Sequence, residues 1–488
     1  MISFVSLYGS ENASEFRNGL KVRRQDTMNV GDRKEANTQK TTYTYARQFL
    51  TARDTTDRLA LKGTLSLEKD SVADGPAVFV DPARQFQTLS GFGGAFTEAV
   101  AVTLQKLSAG NRERALRAYF DRQAGHGYSL CRTHINSCDF ALDNYAYDEV
   151  PGDVGLSHFT IDRDRRALLP LIRDAQRIAG EDFKLFASPW SPPAWMKTTG
   201  QMNRGGKLKP EYRDAWARYF VRYIQEYAKE GVAIWGLTVQ NEPAASPPWD
   251  SCLYSAEEER DFVRDHLGPA LHKAGLSHVK VMIWDHNRDL MVERVQPAYE
   301  DAEAAKYIWG AAFHWYGNDK FDNVQLVHDA WPDKHLLFTE GCQEGGPHIG
   351  DWSLGERYAR SMINDLNRWT VGWVDWNLVL DERGGPNHVD NFCSAPIIAD
   401  THKDELIFQS SYYYIGHFSR FVRPGAQRIL CATERDDLEA TAFDNSDGTL
   451  AVVVLNRTDV ERRFRLKLNG RSANTTIPPH SISTYVID

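Results

Sequence analysis

Cysteine is scarce in this chain, six in 488 residues, and no two stand at CxxC spacing. That excludes a dense disulfide framework and a zinc ribbon. Cys131, Cys138, Cys252, Cys342, Cys393 and Cys431 read as mostly free thiols in a reducing compartment. Positive charge is also in deficit, 57 Lys and Arg against 66 Asp and Glu, for a formal net charge of −9. Nothing here supplies the basic face that would neutralise a phosphate backbone, so no nucleic-acid partner is expected. No apolar run is long enough to span a bilayer, so no integral membrane segment is expected. Met1-Ile2-Ser3-Phe4-Val5-Ser6-Leu7-Tyr8 lacks the basic region and the length of a secretory signal, and a cytoplasmic location is the resulting expectation. Residues 1–41 read as a polar extension, with Met28 as a conceivable alternative start.

What the chain does have is core-forming and aromatic residues: 42% are hydrophobic, and 13 are Trp. Indole faces pack against the C–H faces of sugars as readily as against a core. The length suits a large enzyme domain with a small one attached. The C-terminal part reads as antiparallel sheet. Glu439–Phe443 and Thr449–Leu455 flank Asn445-Ser446-Asp447-Gly448, and Arg462–Leu468 alternates charged and apolar residues before the hairpin turn Asn469-Gly470.

Between the termini, apolar strands alternate with helical stretches, the pattern of parallel α/β folds. Eight strands are predicted: Leu89–Phe96, Tyr128–His134, Lys184–Trp190, Ile234–Gln240, Val279–Trp284, Ile308–Trp315, Leu336–Thr339 and Trp373–Leu378. Tyr212, Trp216, Tyr219, Phe220, Tyr223, Ile224 and Tyr227 recur at three- and four-residue spacing and mark one intervening helix. The fold expected is a (β/α)8 TIM barrel over 81–415. A small β-sandwich joins it, formed by N-terminal strands in 42–80 and a C-terminal segment, 416–488.

In such a barrel the active site lies at the C-terminal ends of the strands. Polar and aromatic residues gather there: Glu98, Arg132 and His134, Trp190, Asn241-Glu242, Asp285-His286, His314-Trp315-Tyr316, Glu340 and Trp376-Asn377. Glycosidic bond cleavage needs an acid for the leaving oxygen and a second carboxylate to attack the sugar or activate water. A lone Glu among 66 acidic residues is ordinarily an ion-paired loop residue. Glu242 differs because it sits in Asn241-Glu242-Pro243 at a strand end, where the proline stops the strand and the Asn amide can hold a sugar 2-hydroxyl. Glu340, in Thr339-Glu340-Gly341-Cys342, follows the seventh strand.

Other signals fail on spacing. Gly91-Phe92-Gly93-Gly94 would need glycine at 96 to match a dinucleotide loop, and Phe96 stands there; these glycines instead permit a tight barrel entry. His126, His134 and His314 lack metal-site spacing, so neither metal nor cofactor is expected. Three glycosylation sequons, at Asn12, Asn456 and Asn474, carry no weight without a secretion signal.

A series of ordered motifs resembles glycoside hydrolase family 30, in its glucosylceramidase-like branch. They run from Gly91-Phe92-Gly93-Gly94-Ala95-Phe96-Thr97-Glu98 through Ser137-Cys138-Asp139-Phe140, Ala187-Ser188-Pro189-Trp190 and Asn241-Glu242-Pro243. They continue through His314-Trp315-Tyr316, Thr339-Glu340-Gly341-Cys342, Gly372–Leu378, Gly384–Asn387, Asn391-Phe392, Ser394–Ile398 and Gly416–Ser419. The resemblance implies a retaining β-glycosidase with Glu340 as nucleophile and Glu242 as acid/base. It further implies a sugar subsite lined by Glu98, Trp190, Asn241, Trp376 and Asn391, with Glu98 standing where the branch usually has the shorter Asp. Strand-end position adds Arg132, His314 and Tyr316 as substrate-binding candidates. The expected partner is a carbohydrate or glycolipid. Burial is expected to raise the Glu242 pKa while Arg132 and Tyr316 keep Glu340 ionised. Other specificities of the family, β-xylosidase or β-1,6-glucanase, and a catalytically silent glycan-binding barrel are the competing readings.

Overall fold

The computed structural model describes residues 43–70 and 75–488; the extension expected over 1–41 lies outside them. The centre is a closed eight-stranded parallel barrel. Its strands, in chain order, are β1 (Gly91–Phe96), β2 (Leu130–Ile135), β3 (Lys184–Pro189), β4 (Ile234–Thr238), β5 (Lys280–Asn287), β6 (Ile308–His314), β7 (His335–Glu340) and β8 (Thr370–Asn377). Each pairs in parallel with the next, and β8 closes on β1. All eight coincide with the predicted strands to within a few residues. They were readable because strands covered on both faces are continuous apolar runs.

The barrel is filled in layers. Leu130, Phe186, Met282, Ala312, Leu337 and Val374, from six strands, form an apolar layer, and Trp235 and Trp309, edge-to-face with each other, pack against it. Nearer the C-terminal ends the fill turns polar, with Ser188, Thr238, Asp285 and Arg132 all fully buried. Gly93 has no room for a side chain, since a Cβ there would lie 1.7 Å from the Leu130 carbonyl oxygen. The helix foreseen from the aromatic stripe runs Arg213–Lys229 and buries Trp216, Tyr219, Phe220, Tyr223, Ile224 and Tyr227. Among the described residues no helix is long and apolar enough to cross a membrane.

The second sheet has ten strands and draws on both ends of the chain. Strand Tyr45–Ala52 pairs antiparallel with Ser481–Ile487, and Ala77–Thr88 lies between Gln427–Thr433 and Arg462–Leu468. The hairpin at Asn469-Gly470 forms, with φ of +50° and +75° at the two turn residues, as a twist-matched two-residue turn requires. Two expected domain limits cut regular elements: 80/81 falls inside strand Ala77–Thr88, and 415/416 inside helix Ser410–Ser419. That helix ties the sheet to the barrel. Its buried His417 hydrogen-bonds Thr484 Oγ1 and Thr51 Oγ1, each at 2.9 Å. Phe443, Val453, Leu455 and Ile482 of the sheet belong to the same apolar core as the barrel helices.

Candidate active site

The chain turns sharply after β4. Asn241 N–H donates to the Pro189 carbonyl at 2.8 Å and Glu242 N–H to the Asp285 carbonyl at 3.0 Å, with Glu242 at φ +48°. These bonds to the neighbouring strands aim the Glu242 side chain over the barrel mouth. Glu340 ends β7 across that mouth. A carboxylate oxygen of each, together with a ring nitrogen of His314, lies within 4.8 Å of the others. Both glutamates line one cavity of about 230 Å³, with Asp139, Trp190, Asn241, Tyr316, Trp376 and Asn391 also in its wall.

Arg132 organises the floor. Fully buried, it contacts a Glu340 carboxylate oxygen through Nη1. Through Nη2 it donates to Asn241 Oδ1 and Asp285 Oδ2, both at 2.8 Å, and through Nε to Ser188 Oγ at 3.0 Å. Its guanidinium also lies 4.7 Å from the Trp190 ring centroid. Four of its five N–H donors are thus taken by protein groups. It does not line the cavity, so the substrate-binding role expected for it is corrected to one of holding Glu340 and Asn241. With Asn241 Oδ1 committed to Arg132, the amide N–H groups of Asn241 are left to face the cavity. Tyr316 Oη donates to Glu340 Oε1 at 2.9 Å, and burial pushes that phenol well above its ordinary pKa, which keeps it a donor.

His314 is also corrected. It is fully buried behind Glu242 rather than on the cavity wall, with Nδ1 3.2 Å from Glu242 Oε1 and Nε2 3.0 Å from Asp285 Oδ1. Burial opposes its cation, yet Glu340, Asp285 and Glu242 around it push it up to about 9. Burial likewise opposes ionisation of Asp285. The Arg132 charge, His314 and the Thr238 hydroxyl outweigh that and hold its carboxyl well below the usual range. Thus a buried carboxylate sustains a buried imidazolium beside the two glutamates.

This cation reverses the order expected for the two glutamates. Burial pushes Glu242 up, but opposing contributions led by the His314 hydrogen bond bring it below its ordinary value. For Glu340, burial and the nearby Glu242 and Asp285 carboxylates outweigh His314 and Arg132, so it is raised. Neither direction was visible in sequence, because His314 carries no mark of being protonated. Glu242, His314 and Glu340 are also close enough to share a cation. An imidazolium is no ligand, however, and Arg132 and Tyr316 already occupy the Glu340 oxygens.

Glu98 is the clearest miss. Arg163 binds it bidentately, Nε to Oε1 at 2.8 Å and Nη2 to Oε2 at 2.9 Å, and Leu142 N–H donates to Oε2 at 2.8 Å. It lines a separate depression with Arg163 and Asp164. The carboxylate in the cavity is Asp139, which accepts from Asn391 Nδ2 at 3.0 Å and Asn387 Nδ2 at 3.2 Å. Burial pushes Asp139 up to about 7. Asp139 was legible only as part of Ser137-Cys138-Asp139-Phe140; its direction depends on the path of the loop after β2. Trp190 and Trp376, expected on the wall, are there and stack on each other with centroids 5.2 Å apart. Trp249, His286, Asn287, Glu344 and two thiols, Cys342 and Cys393, complete the lining.

A parallel barrel with two facing glutamates, one gripped by a guanidinium and a phenol, at the C-terminal mouth is the constellation of a glycoside hydrolase. Residues 89–422 match the glycosyl hydrolase family 30 TIM-barrel domain, and residues 425–485 match that family's beta sandwich domain. The chain belongs to glycoside hydrolase family 30. It is 36% identical to the lysosomal acid glucosylceramidase of Mus musculus, over 86% of this chain and 85% of that protein. It is 28% identical to the endo-1,6-beta-D-glucanase of Neurospora crassa, over 83% and 86%. The crystal structure of SrfJ from Salmonella typhimurium superposes with a TM-score of 0.87 at 39% identity, covering 91% of this chain and 99% of that one.

Proposed function

We propose that this enzyme is a retaining exo-acting β-glucosidase. The observation that carries the reading is the approach of the Glu242 and Glu340 carboxylates, with oxygens within 4.8 Å. So close an approach of the nearest oxygens is in line with the roughly 5–5.5 Å carboxyl separation of retaining enzymes and leaves less room than the ~6.5–9.5 Å at which an inverting enzyme seats a water. Glu340 attacks the anomeric carbon as the glycosidic C–O bond breaks, and the leaving oxygen takes a proton from Glu242. Water then attacks the glycosyl ester, its proton passes to Glu242, and Glu340 is released as carboxylate. Glu242 is still 18% exposed. A sugar closing over it removes that water and raises its pKa toward the protonated form the first step requires. His314 holds a proton 3.2 Å away.

The exo reading rests on size. A cavity of about 230 Å³ lies below the roughly 300–1,000 Å³ of sites for drug-sized ligands and suits a single sugar ring. Glucose is favoured over xylose because the glucosylceramidase and the glucanase both carry glucose in their names. The presence of both carboxylates, with their supporting donors, speaks against a silent binding barrel. The test is a panel of aryl β-glycosides followed by NMR of the first-formed sugar. The β-glucoside should be cleaved fastest with β-glucose appearing first; α-glucose first would overturn the retaining assignment.

A further inference from the structure

Cys342 and Cys393, both free thiols, stand on the wall of the catalytic cavity, and the sugar chemistry leaves them unused. A thiol is a weak donor and a weak acceptor, so it gives a sugar hydroxyl little to bind. As packing it counts only as a small apolar group. Two of the chain's six cysteines in one cavity wall nonetheless offer what neither offers alone.

The backbone sets them together. The chain leaving β7 runs antiparallel to the stretch around Cys393: Glu344 bridges Cys393, Ser394 N–H donates to the Gln343 carbonyl at 2.8 Å, and Gly345 N–H to the Phe392 carbonyl at 3.0 Å. Side chains alternate across such a ribbon, so Cys342 and Glu344 on one strand share a face with Asn391 and Cys393 on the other. That face is turned to the cavity, whose lining includes all four. Cys342 is diagonal to Cys393 rather than opposite it. Diagonal neighbours stand roughly 7–8 Å apart at the backbone, wider than the roughly 4.4–6.8 Å of a disulfide. Two thiolates on either side of one metal ion need that extra room, for two metal–sulfur bonds of about 2.3 Å.

Both side chains are buried, and Cys342 Sγ lies 3.4 Å from Tyr316 Oη. Burial, and after it the contact with the Cys393 thiol, pushes Cys342 well above the ordinary thiol range. A soft metal ion removes that obstacle, because it displaces the thiol proton outright. The number of ligands chooses the ion. Among the described residues the only group of three or more metal-ligating side chains close enough to share one ion is Glu242, His314 and Glu340. No third ligand therefore joins the thiols. Structural zinc takes four ligands, and magnesium and calcium take oxygen. A bare pair of thiolates suits copper(I), which soft sulfur ligands select.

We propose that Cys342 and Cys393 form a two-thiolate site for a soft monovalent cation of the copper(I) class, and that the bound ion closes the catalytic cavity to sugar. Binding releases both thiol protons to solvent and changes no oxidation state. The ion lies beside Tyr316, the donor to Glu340 Oε1, in a cavity of about 230 Å³ with room for one ring. The test is copper(I) titration of the intact protein without oxygen, against bathocuproine disulfonate as competing chelator. Wild type is compared with Cys342→Ser, Cys393→Ser and Cys393→Ala, and with Cys431→Ser on a strand of the second sheet. Wild type should hold one ion per chain, with two sulfur neighbours and no more by X-ray absorption. Losing a thiolate should cost more affinity than the roughly 10–100-fold that follows loss of a contact supporting a metal ligand. C342S, C393S and C393A should all show that loss, and C431S should bind as wild type does. Hydrolysis of an aryl β-glucoside by wild type should fall in step with occupancy and return with excess chelator. C393S and C393A, each measured against its own metal-free rate, should not respond. Equal affinity in wild type and the Cys393 variants, a sulfur count other than two, or full activity with one ion bound would overturn the proposal. The binding measurements use no substrate, so a protein inactive on every β-glucoside would sink the glucosidase reading and leave them to decide this one.

Discussion

Glu340 is held by the Arg132 guanidinium and the Tyr316 hydroxyl, so replacing its carboxylate removes the proposed nucleophile without emptying the floor. Glu340→Gln should lower kcat by at least about a thousandfold, roughly 4 kcal/mol of barrier, with an unchanged circular dichroism spectrum. Glu242→Gln should behave differently, because a good leaving group needs no proton. The loss should be about 10²–10⁴-fold on an alkyl glucoside and much smaller on a dinitrophenyl glucoside, as burst kinetics would read. His314 gives a pH prediction. Its pKa is raised in the fold from 6.5 to about 9, so its contribution to stability is complete below about 6.5 and is lost as pH rises through about 9. The melting temperature should therefore fall across that window, and His314→Gln should flatten the fall while lowering the plateau.

At the level of strands and loops, β1 depends on glycine for a reason that can be measured. A Cβ at Gly93 would strike the Leu130 carbonyl, backbone that cannot step aside, so Gly93→Ala should give insoluble protein or a melting temperature many degrees lower. The barrel strands were legible because burial on both faces writes them as apolar runs; Glu340 was legible because it terminates β7, and Glu242, four residues past β4, because Asn241-Glu242-Pro243 marks the turn there. The lining was less legible. Residues on strand ends, such as Trp190 and Trp376, fell where expected. Glu98 and Asp139 did not, since each lies beyond its strand and the loop path decides which carboxylate meets Arg163 and which meets Asn387 and Asn391. Arg132 and His314 were recognised as site residues, but sequence does not show whether a side chain faces the substrate or supports one that does.

Across the whole molecule the two sheets share a core. Phe443, Val453, Leu455 and Ile482 pack in the cluster that contains the barrel helices, and His417 bonds Thr484 and Thr51 across the junction. The sandwich is therefore part of the catalytic domain's fold rather than an appendage, and calorimetry of the intact chain should show one unfolding transition rather than two. This interlocking was not readable in sequence, because its contacts join the first described strand to the last. The assembled barrel brings Glu242 and Glu340 together, and the central claim is that the second forms a covalent bond to sugar while the first moves the proton. The direct measurement is inactivation with a 2-deoxy-2-fluoro-β-glucosyl fluoride, followed by peptide mass spectrometry. The account predicts one fluoroglucosyl group on the peptide containing Glu340, and on Glu340 itself by fragmentation. Time-dependent inactivation with the label on any other carboxylate would contradict it.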